Sequence, residues 1–340
     1  MIDLDRFKRW MGLRTLYLKC TLPQKFPAIM NIEPTNRCNL SCQMCPRSVS
    51  HRPLSDLDWS LFEGLADEMA HHGPILKVFL QKDGEPLLYP RLAEAVARLR
   101  EKRSARAVEI ITNGTLLTVE RFRDLALAGL NTLIVSIDAV DPETYRTLKG
   151  RDTFETVVSQ VERCIEEKKR IGGKTPAIKA RLVSRRGHEH EVERFTAYWK
   201  GKADAVDITP YHTWIGSVKD ERAYEARPRY PCSLLWYTGI VNADGQMSPC
   251  CIDYDCQGVV GRIGAGGFGA IWNGPAMNAL RRRHLLGDYA KTAICGPCEY
   301  WLIKEDLGSW LRHKYRVAPD RVALDRVSPD RVTINKERKT

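Results

Sequence analysis

Between residues 28 and 210 the chain alternates six times between a short, β-branched-rich apolar run and a stretch of helical periodicity. Few folds accommodate that pattern other than a parallel sheet with helices packed on its faces. The predicted strands are Ala28–Ile32, Leu76–Leu80, Val108–Thr112, Thr132–Ile137, Ile178–Leu182 and Ala205–Thr209. The predicted helices are Trp59–His71, Arg91–Lys102, Val119–Ala128, Phe154–Ile171 and His190–Lys200. The runs are apolar throughout, as expected of strands covered on both faces. This is an α/β fold, either a parallel barrel or an open doubly wound sheet, and periodicity does not separate the two. In both, ligands bind at the carboxyl ends of the strands.

The first such end carries Asn36-Arg37-Cys38-Asn39-Leu40-Ser41-Cys42-Gln43-Met44-Cys45-Pro46-Arg47-Ser48, a C-x3-C-x2-C spacing in one loop. Three thiolates this close can converge on one metal centre. A structural zinc site needs a fourth protein ligand, whereas a four-iron cubane held by three cysteines keeps one iron open. A zinc knuckle completed by a distant His or Asp, and buried structural cysteines, are the alternatives.

The loop resembles the signature of the radical S-adenosylmethionine (radical SAM) superfamily, and its Thr-Asn-Arg-Cys-Asn-Leu and Cys-Pro-Arg surroundings resemble members with a C-terminal SPASM or twitch domain. The resemblance implies a partial (β/α)6 TIM-like barrel whose [4Fe–4S] cluster is held by Cys38, Cys42 and Cys45, with the open iron chelated by S-adenosylmethionine. Cleavage of that cofactor would release a 5′-deoxyadenosyl radical. Later strand ends carry further family-like segments. Gln81-Lys82-Asp83-Gly84-Glu85-Pro86 is similar to Gly-Gly-Glu-Pro, with Asp83 where the family has Gly; Asp tolerates left-handed backbone better than most residues. Thr112-Asn113-Gly114-Thr115 is similar to the ribose- and methionine-contacting Thr-Asn-Gly, although Asn-Gly also suits a plain turn. Ser136-Ile137-Asp138 is similar to the end of a Val-Ser-Ile-Asp strand. Cofactor contacts are thereby implied for Met44, Gly84, Glu85, Asn113 and Ser136. Arg181 either meets the cofactor carboxylate or is a surface arginine.

Six more cysteines follow: Cys232, Cys250, Cys251, Cys256, Cys295 and Cys298. Ser233–Val241 and Gln246–Cys250 read as strand arms around the turn Asn242-Ala243-Asp244-Gly245. Gly261–Ile263, Ile271-Trp272 and a helix over Pro275–Leu286 follow. Cys295-Gly296-Pro297-Cys298 is also a dithiol-exchange tetrapeptide, but it follows a helix and a polar connector rather than a strand. A four-cysteine zinc ribbon is compatible with the spacing. The run from Cys232 to Cys298 resembles the SPASM/twitch module. That implies one auxiliary [4Fe–4S] cluster on Cys232, Cys250, Cys295 and Cys298, with Cys251 as a substitute for Cys250. Cys256 is left over, and Cys20 and Cys164 read as structural.

The division expected is an amphipathic N-terminal helix in 1–27, a radical SAM core over 28–210, a linker over 211–231, an auxiliary cluster domain over 232–301, and a C-terminal helix with a basic, imperfectly repeated tail over 302–340. With 340 residues, a large domain and a small one both have ample core. No apolar run reaches membrane-span length, and charges interrupt the first ten residues. A cytoplasmic location is expected, and clustered cysteines in a reducing compartment argue for metal ligation over disulfides. The net charge of +11 is spread among acids without an aromatic-interleaved basic patch, which argues against nucleic acid. It reads as a solvated basic surface, with an anionic substrate or an acidic electron donor of the flavodoxin or ferredoxin type as the more specific alternative.

The resemblance implies that an adenosyl radical takes hydrogen from a small polyol, amino sugar or sugar nucleotide while the auxiliary cluster accepts an electron, a dehydrogenation. Tyr211, His212 and Lys179 are candidate bases. Peptide maturation, epimerisation with Cys251 or Cys256 as hydrogen donor, and a non-catalytic zinc-stabilised module are the rivals. The short N-terminal lead-in argues against a peptide-recognition domain ahead of the core.

Overall fold

The structure is a computed structural model that describes residues 13, 16–185, 188–218, 229–289, 291–301, 307, 310, 311 and 314. Most of the expected N-terminal amphipathic helix and the repeated basic tail lie outside the described residues; residues 16–21 are helical.

Among the described residues nine strands form one sheet in the order β6-β5-β4-β3-β2-β1-β7-β8-β9. The first six are β1 (Ile29–Ile32), β2 (Lys77–Leu80), β3 (Val108–Thr112), β4 (Thr132–Ser136), β5 (Ala177–Ser184) and β6 (Ala205–Pro210). Each pairs in parallel with its sequence neighbour. The strip does not close on itself, so the architecture is the open, mixed α/β form of a partial barrel.

Helices α1 (Trp59–His71), α2 (Leu92–Glu101), α3 (Val119–Leu127), α4 (Pro142–Lys149), α5 (Phe154–Arg170) and α6 (Glu189–Trp199) fill the crossovers. The local chemistry explains their bounds. In α1, Phe62, Leu65, Ala66 and Met69 recur at helical spacing and are buried, and the Asp58 carboxylate caps the start by accepting from Leu61 N at 3.0 Å. In α4, which periodicity does not predict, Asp141 accepts from Thr144 N at 2.9 Å, Pro142 occupies the first turn, and Gly150 ends the helix at φ +69°.

The second cysteine region is joined to this sheet. Strand β7 (Thr238–Val241) pairs in parallel with β1 along its whole length, from Ile29 with Thr238 to Ile32 with Val241. Strand β8 (Gln246–Ser248) returns antiparallel to β7, and β9 (Gly261–Arg262) pairs with β8. The turn between β7 and β8 places Gly245 at φ +82°. The predicted first arm, Ser233–Val241, is corrected in its first half. Leu234–Tyr237 is a helical turn (α7) whose four side chains are all buried, and a short apolar run carries no period that separates strand from helix. Helices α8 (Gly267–Trp272) and α9 (Pro275–Leu285) complete the region. Glu68 of α1 accepts from Phe268 N and Gly269 N, each at 2.7 Å, fastening α8 to the main helix layer.

Candidate active site and auxiliary metal centre

The segments singled out by sequence meet at the carboxyl ends of β1 to β5. The cysteine loop leaves β1 and turns between Cys42 and Cys45, where Cys45 N donates to Cys42 O at 3.1 Å. Cys38, Cys42 and Cys45 are half-buried, as is Met44 within the turn. Asn113, at the end of β3, places its side-chain amide 3.9 Å from Cys38 Sγ and donates to Asn39 Oδ1 at 3.0 Å. Asn39 in turn donates to Thr115 Oγ1 at 2.8 Å. The third anchor is α4, where Leu148 O accepts from Gln43 N at 2.8 Å.

Gly84 fits against the same loop from β2. A Cβ there would lie 2.0 Å from Thr35 O and 2.8 Å from Arg37 O, so only glycine allows the approach. Glu85 N donates to Arg37 O at 2.8 Å. The Glu85 carboxylate is buried and accepts from Thr112 Oγ1 at 2.6 Å, Asn113 N at 2.7 Å and Leu87 N at 3.0 Å, which ties the ends of β2 and β3 together. Burial raises its carboxyl pKa despite these donors.

Ser136 donates to Asp138 Oδ2 at 2.6 Å. Asp138, at φ +62°, is wholly buried with Lys149, whose Nζ lies 2.5 Å from Asp138 Oδ2 and donates to Ser136 O at 3.0 Å. Burial alone would lower the Lys149 ammonium pKa, but Asp138 and Cys42 outweigh it and bring it up to about 12. A fixed cation therefore stands beside the cysteine loop. Arg181 and Lys179 share one face of β5 by alternation, and the Arg181 guanidinium is held by Asp207 of β6, at 2.9 Å from Nε and 2.7 Å from NH2.

Past β6, Tyr211 N donates to Ser184 O at 3.1 Å. His212 packs edge-on against Trp214, centroids 5.3 Å apart, and against Tyr300, 5.0 Å apart, so these aromatics join the barrel to the segment after Cys298.

The second cysteine group frames a small apolar cavity, whose wall includes Cys232, Cys250, Cys295 and Cys298 together with His284 and Arg229. Cys251 is not among the residues lining it. Burial pushes the thiols of Cys232 up to about 12 and Cys298 up to about 11, and raises Cys250 and Cys295 as well. In the first loop it pushes Cys45 up to about 12 and raises Cys42 against the pull of Lys149. Buried, mutually repelling thiols stay protonated unless a cation takes the proton's place, and coordination to a metal does that outright. Among the described residues no three His, Cys, Asp or Glu side chains gather as tightly as a single ion requires. In a cubane each thiolate goes to its own iron, so the ligands stand further apart. Three thiols in the loop and four around the cavity fit clusters of that kind.

Glu33 and Arg52 gave no sequence signal. Glu33, at the end of β1, holds Arg52 at 2.5 Å and accepts from Asp83 N at 3.1 Å and Ala243 N at 2.9 Å. Arg52 also reaches Asp83 at 3.0 Å, and Lys82 bridges Asp83 at 2.5 Å to Asp253 O at 3.0 Å. This buried quartet of Glu33, Arg52, Asp83 and Lys82 binds the barrel to the auxiliary region, with Cys256 nearby. Lys149 and His284 were equally silent, because a charged or titratable side chain reads from sequence as surface.

Comparison with known proteins agrees with this geometry. The radical SAM superfamily pattern matches residues 32–178, and the SPASM iron–sulfur cluster-binding domain matches residues 232–299. A probable GTP 3′,8-cyclase of Methanosarcina mazei is 32% identical, the match covering 66% of this chain and 78% of that protein. The chain belongs to the radical SAM superfamily. As a radical SAM protein it is an enzyme that uses a [4Fe–4S] cluster and S-adenosylmethionine, and its SPASM domain adds an auxiliary iron–sulfur cluster. An S-adenosyl-L-methionine-dependent 2-deoxy-scyllo-inosamine dehydrogenase of Niallia circulans is 22% identical, over 81% of this chain and 93% of that protein. Radical SAM structures share the fold. BtrN in complex with AdoMet and 2-DOIA superposes with a TM-score of 0.57 at 20% identity over 81% of this chain and 93% of that one. Streptococcus suis SuiB bound to precursor peptide SuiA gives 0.63 at 15% identity over 88% and 78%. The chain spans about half the length of other curated relatives, 46% of one and 50% of another. No helix among the described residues is long and apolar enough to cross a membrane.

Proposed function

We propose that this enzyme dehydrogenates a small polyol, amino sugar or sugar nucleotide. The observation that carries the reading is the second thiol set. Four cysteines around one apolar cavity can ligate every iron of a cubane, which leaves none open to substrate and suits a cluster that takes up an electron. Likeness to the inosamine dehydrogenase over 93% of that protein's length supports the same reading. When bound, the first cluster and S-adenosylmethionine would supply the radical chemistry for taking one hydrogen atom from the substrate carbon, and the auxiliary cluster would supply an acceptor for the second electron of the oxidation.

The chain's own residues have separable tasks in this scheme. Cys38, Cys42 and Cys45 hold the first cluster, and Cys232, Cys250, Cys295 and Cys298 hold the auxiliary one. Met44, the Gly84–Glu85 segment, Asn113 and Ser136 line the place for S-adenosylmethionine. Lys179 and Arg181 offer positive charge to an anionic group on the substrate or cofactor, and Lys179, Tyr211 and His212 are the candidate bases. A flavodoxin- or ferredoxin-type protein would supply the reducing electron, and a reducing compartment such as the cytoplasm would keep the ligand thiols available.

The test is anaerobic reconstitution followed by a substrate screen scored by 5′-deoxyadenosine. About eight irons per chain are expected, falling to about four in Cys250→Ala and unchanged in Cys251→Ala. A Cys42→Ala variant should form no 5′-deoxyadenosine. Zinc in place of iron, or 5′-deoxyadenosine released only with a precursor peptide, overturns the proposal.

A further inference from the structure

We infer that His284 donates a hydrogen bond from Nε2 to a sulfur of the auxiliary cluster or its ligands, and so helps set how readily that cluster accepts an electron. The inference rests on the four-cysteine ligand assignment above. His284 lies in the last turn of α9, is 0% exposed, and lines the same cavity as the four thiols. Its Nδ1 accepts the backbone N–H of Cys232 at 3.1 Å. A ring nitrogen that accepts carries no proton, so the neutral imidazole holds its proton on Nε2. That Nε2 is buried and has no hydrogen-bond partner among the described residues.

A buried donor left unmade costs about 1–3 kcal/mol, so such groups in folded proteins usually face something that completes them. The neighbouring groups offer little. The Tyr289 ring stands edge-on at 5.1 Å between centroids, and an N–H···π contact is a weak substitute. Arg229, on the same wall, is itself a donor. Among the other lining side chains the Tyr300 hydroxyl is the one oxygen, and it is not bonded to Nε2; the remaining acceptors on offer are the cysteine sulfurs. Hydrogen bonds to cluster sulfurs are among the levers that set iron–sulfur potentials, because they favour the more negative, reduced state. With its backbone bond to Cys232, His284 also holds one ligand residue in place, which makes it a positioning residue rather than a catalytic one.

The experiment uses the full chain with Cys38, Cys42 and Cys45 all replaced by alanine, reconstituted so that only the auxiliary cluster is present. A redox titration followed by EPR should place His284→Leu at a lower potential than the parent, with iron content unchanged. His284→Gln, which keeps an N–H near the Nε2 position, should lie between them. An unmoved potential in the Leu variant at about four irons per chain overturns the inference while leaving the ligand assignment intact. Should the Leu variant fail to load, pulsed EPR of the parent with 15N-labelled histidine decides. A resolved histidine nitrogen coupling supports the bond, and its absence overturns it. A parent that assembles no iron overturns the ligand assignment and this inference with it.

Discussion

Replacing Gly84 by alanine is expected to cost about 2–4 kcal/mol of stability and to loosen the cysteine loop. The new Cβ would start 2.0 Å from Thr35 O, far inside contact distance, so one of the two segments must retreat. The loop side cannot give easily. Thr35 Oγ1 donates to Asp56 Oδ1 at 2.5 Å, Asn36 N donates to Ser55 O at 3.2 Å, and the Asn36 side chain bonds Pro53 O and Ser55 N, each at 2.8 Å. The 84–85 segment must therefore move, which breaks the Glu85 N to Arg37 O bond and strains the three bonds of the Glu85 carboxylate. Overpacking of a tight site costs about 1–3 kcal/mol, and a lost hydrogen bond about 1 more. Gly64, inside α1, is the reference. Among the described residues nothing lies within 4 Å of where a Cβ would stand, so Gly64→Ala should gain about 0.5–1 kcal/mol. Urea unfolding followed by circular dichroism, with iron counted after reconstitution, measures both variants. If Gly84→Ala proves as stable as wild type and takes up its full iron, the packing argument is wrong.

The buried Lys149–Asp138 pair makes a second case: Lys149→Met strands a buried carboxylate and should cost about 3–5 kcal/mol, part of which Asp138→Asn returns in the double variant. Its pH dependence has a definite sign. The folded pKa of Lys149, about 12, exceeds its ordinary 10.5, so the contribution is fully present below pH 10.5 and disappears as pH rises through 12. Comparing alkaline unfolding of wild type and Lys149→Met isolates it, and curves that keep a constant separation up to pH 12 would contradict it. Glu85→Gln should cost about 1–3 kcal/mol and weaken S-adenosylmethionine binding, because its amide must face one of the N–H or O–H donors that the carboxylate now accepts; equilibrium binding of the cofactor and thermal melting together check both effects.

The strands and crossover helices were legible because their signals are local. The burial of Phe62, Leu65, Ala66 and Met69 repeats at helical spacing behind a capping Asp58, and α1 begins and ends as the sequence predicts. Helix α4 was not legible, since eight residues with only Tyr145 and Leu148 as buried large apolar groups give too short a pattern. Nor was the pairing of β7 with β1, which links residues about two hundred positions apart and has no local trace. The cysteines announced themselves by spacing. Lys149, Arg52 and His284 did not, because what makes them part of the site is a partner brought in by the fold: Asp138 and Cys42 for the first, Glu33 and Asp83 for the second, and Cys232 for the third.

The pairing of β1 with β2 on one side and β7 on the other bears on how the chain can be cut. Truncation at residue 231 would strip β1 of a neighbour and leave an unpaired, apolar strand edge open to any other strand. The isolated catalytic core should then self-associate rather than persist as a tidy monomer. Transplanting the auxiliary region onto another barrel meets the same obstacle in reverse, because β7 would arrive without the strand that completes it. In this chain the two cysteine-bearing regions are built on one sheet, with β1 as their common seam.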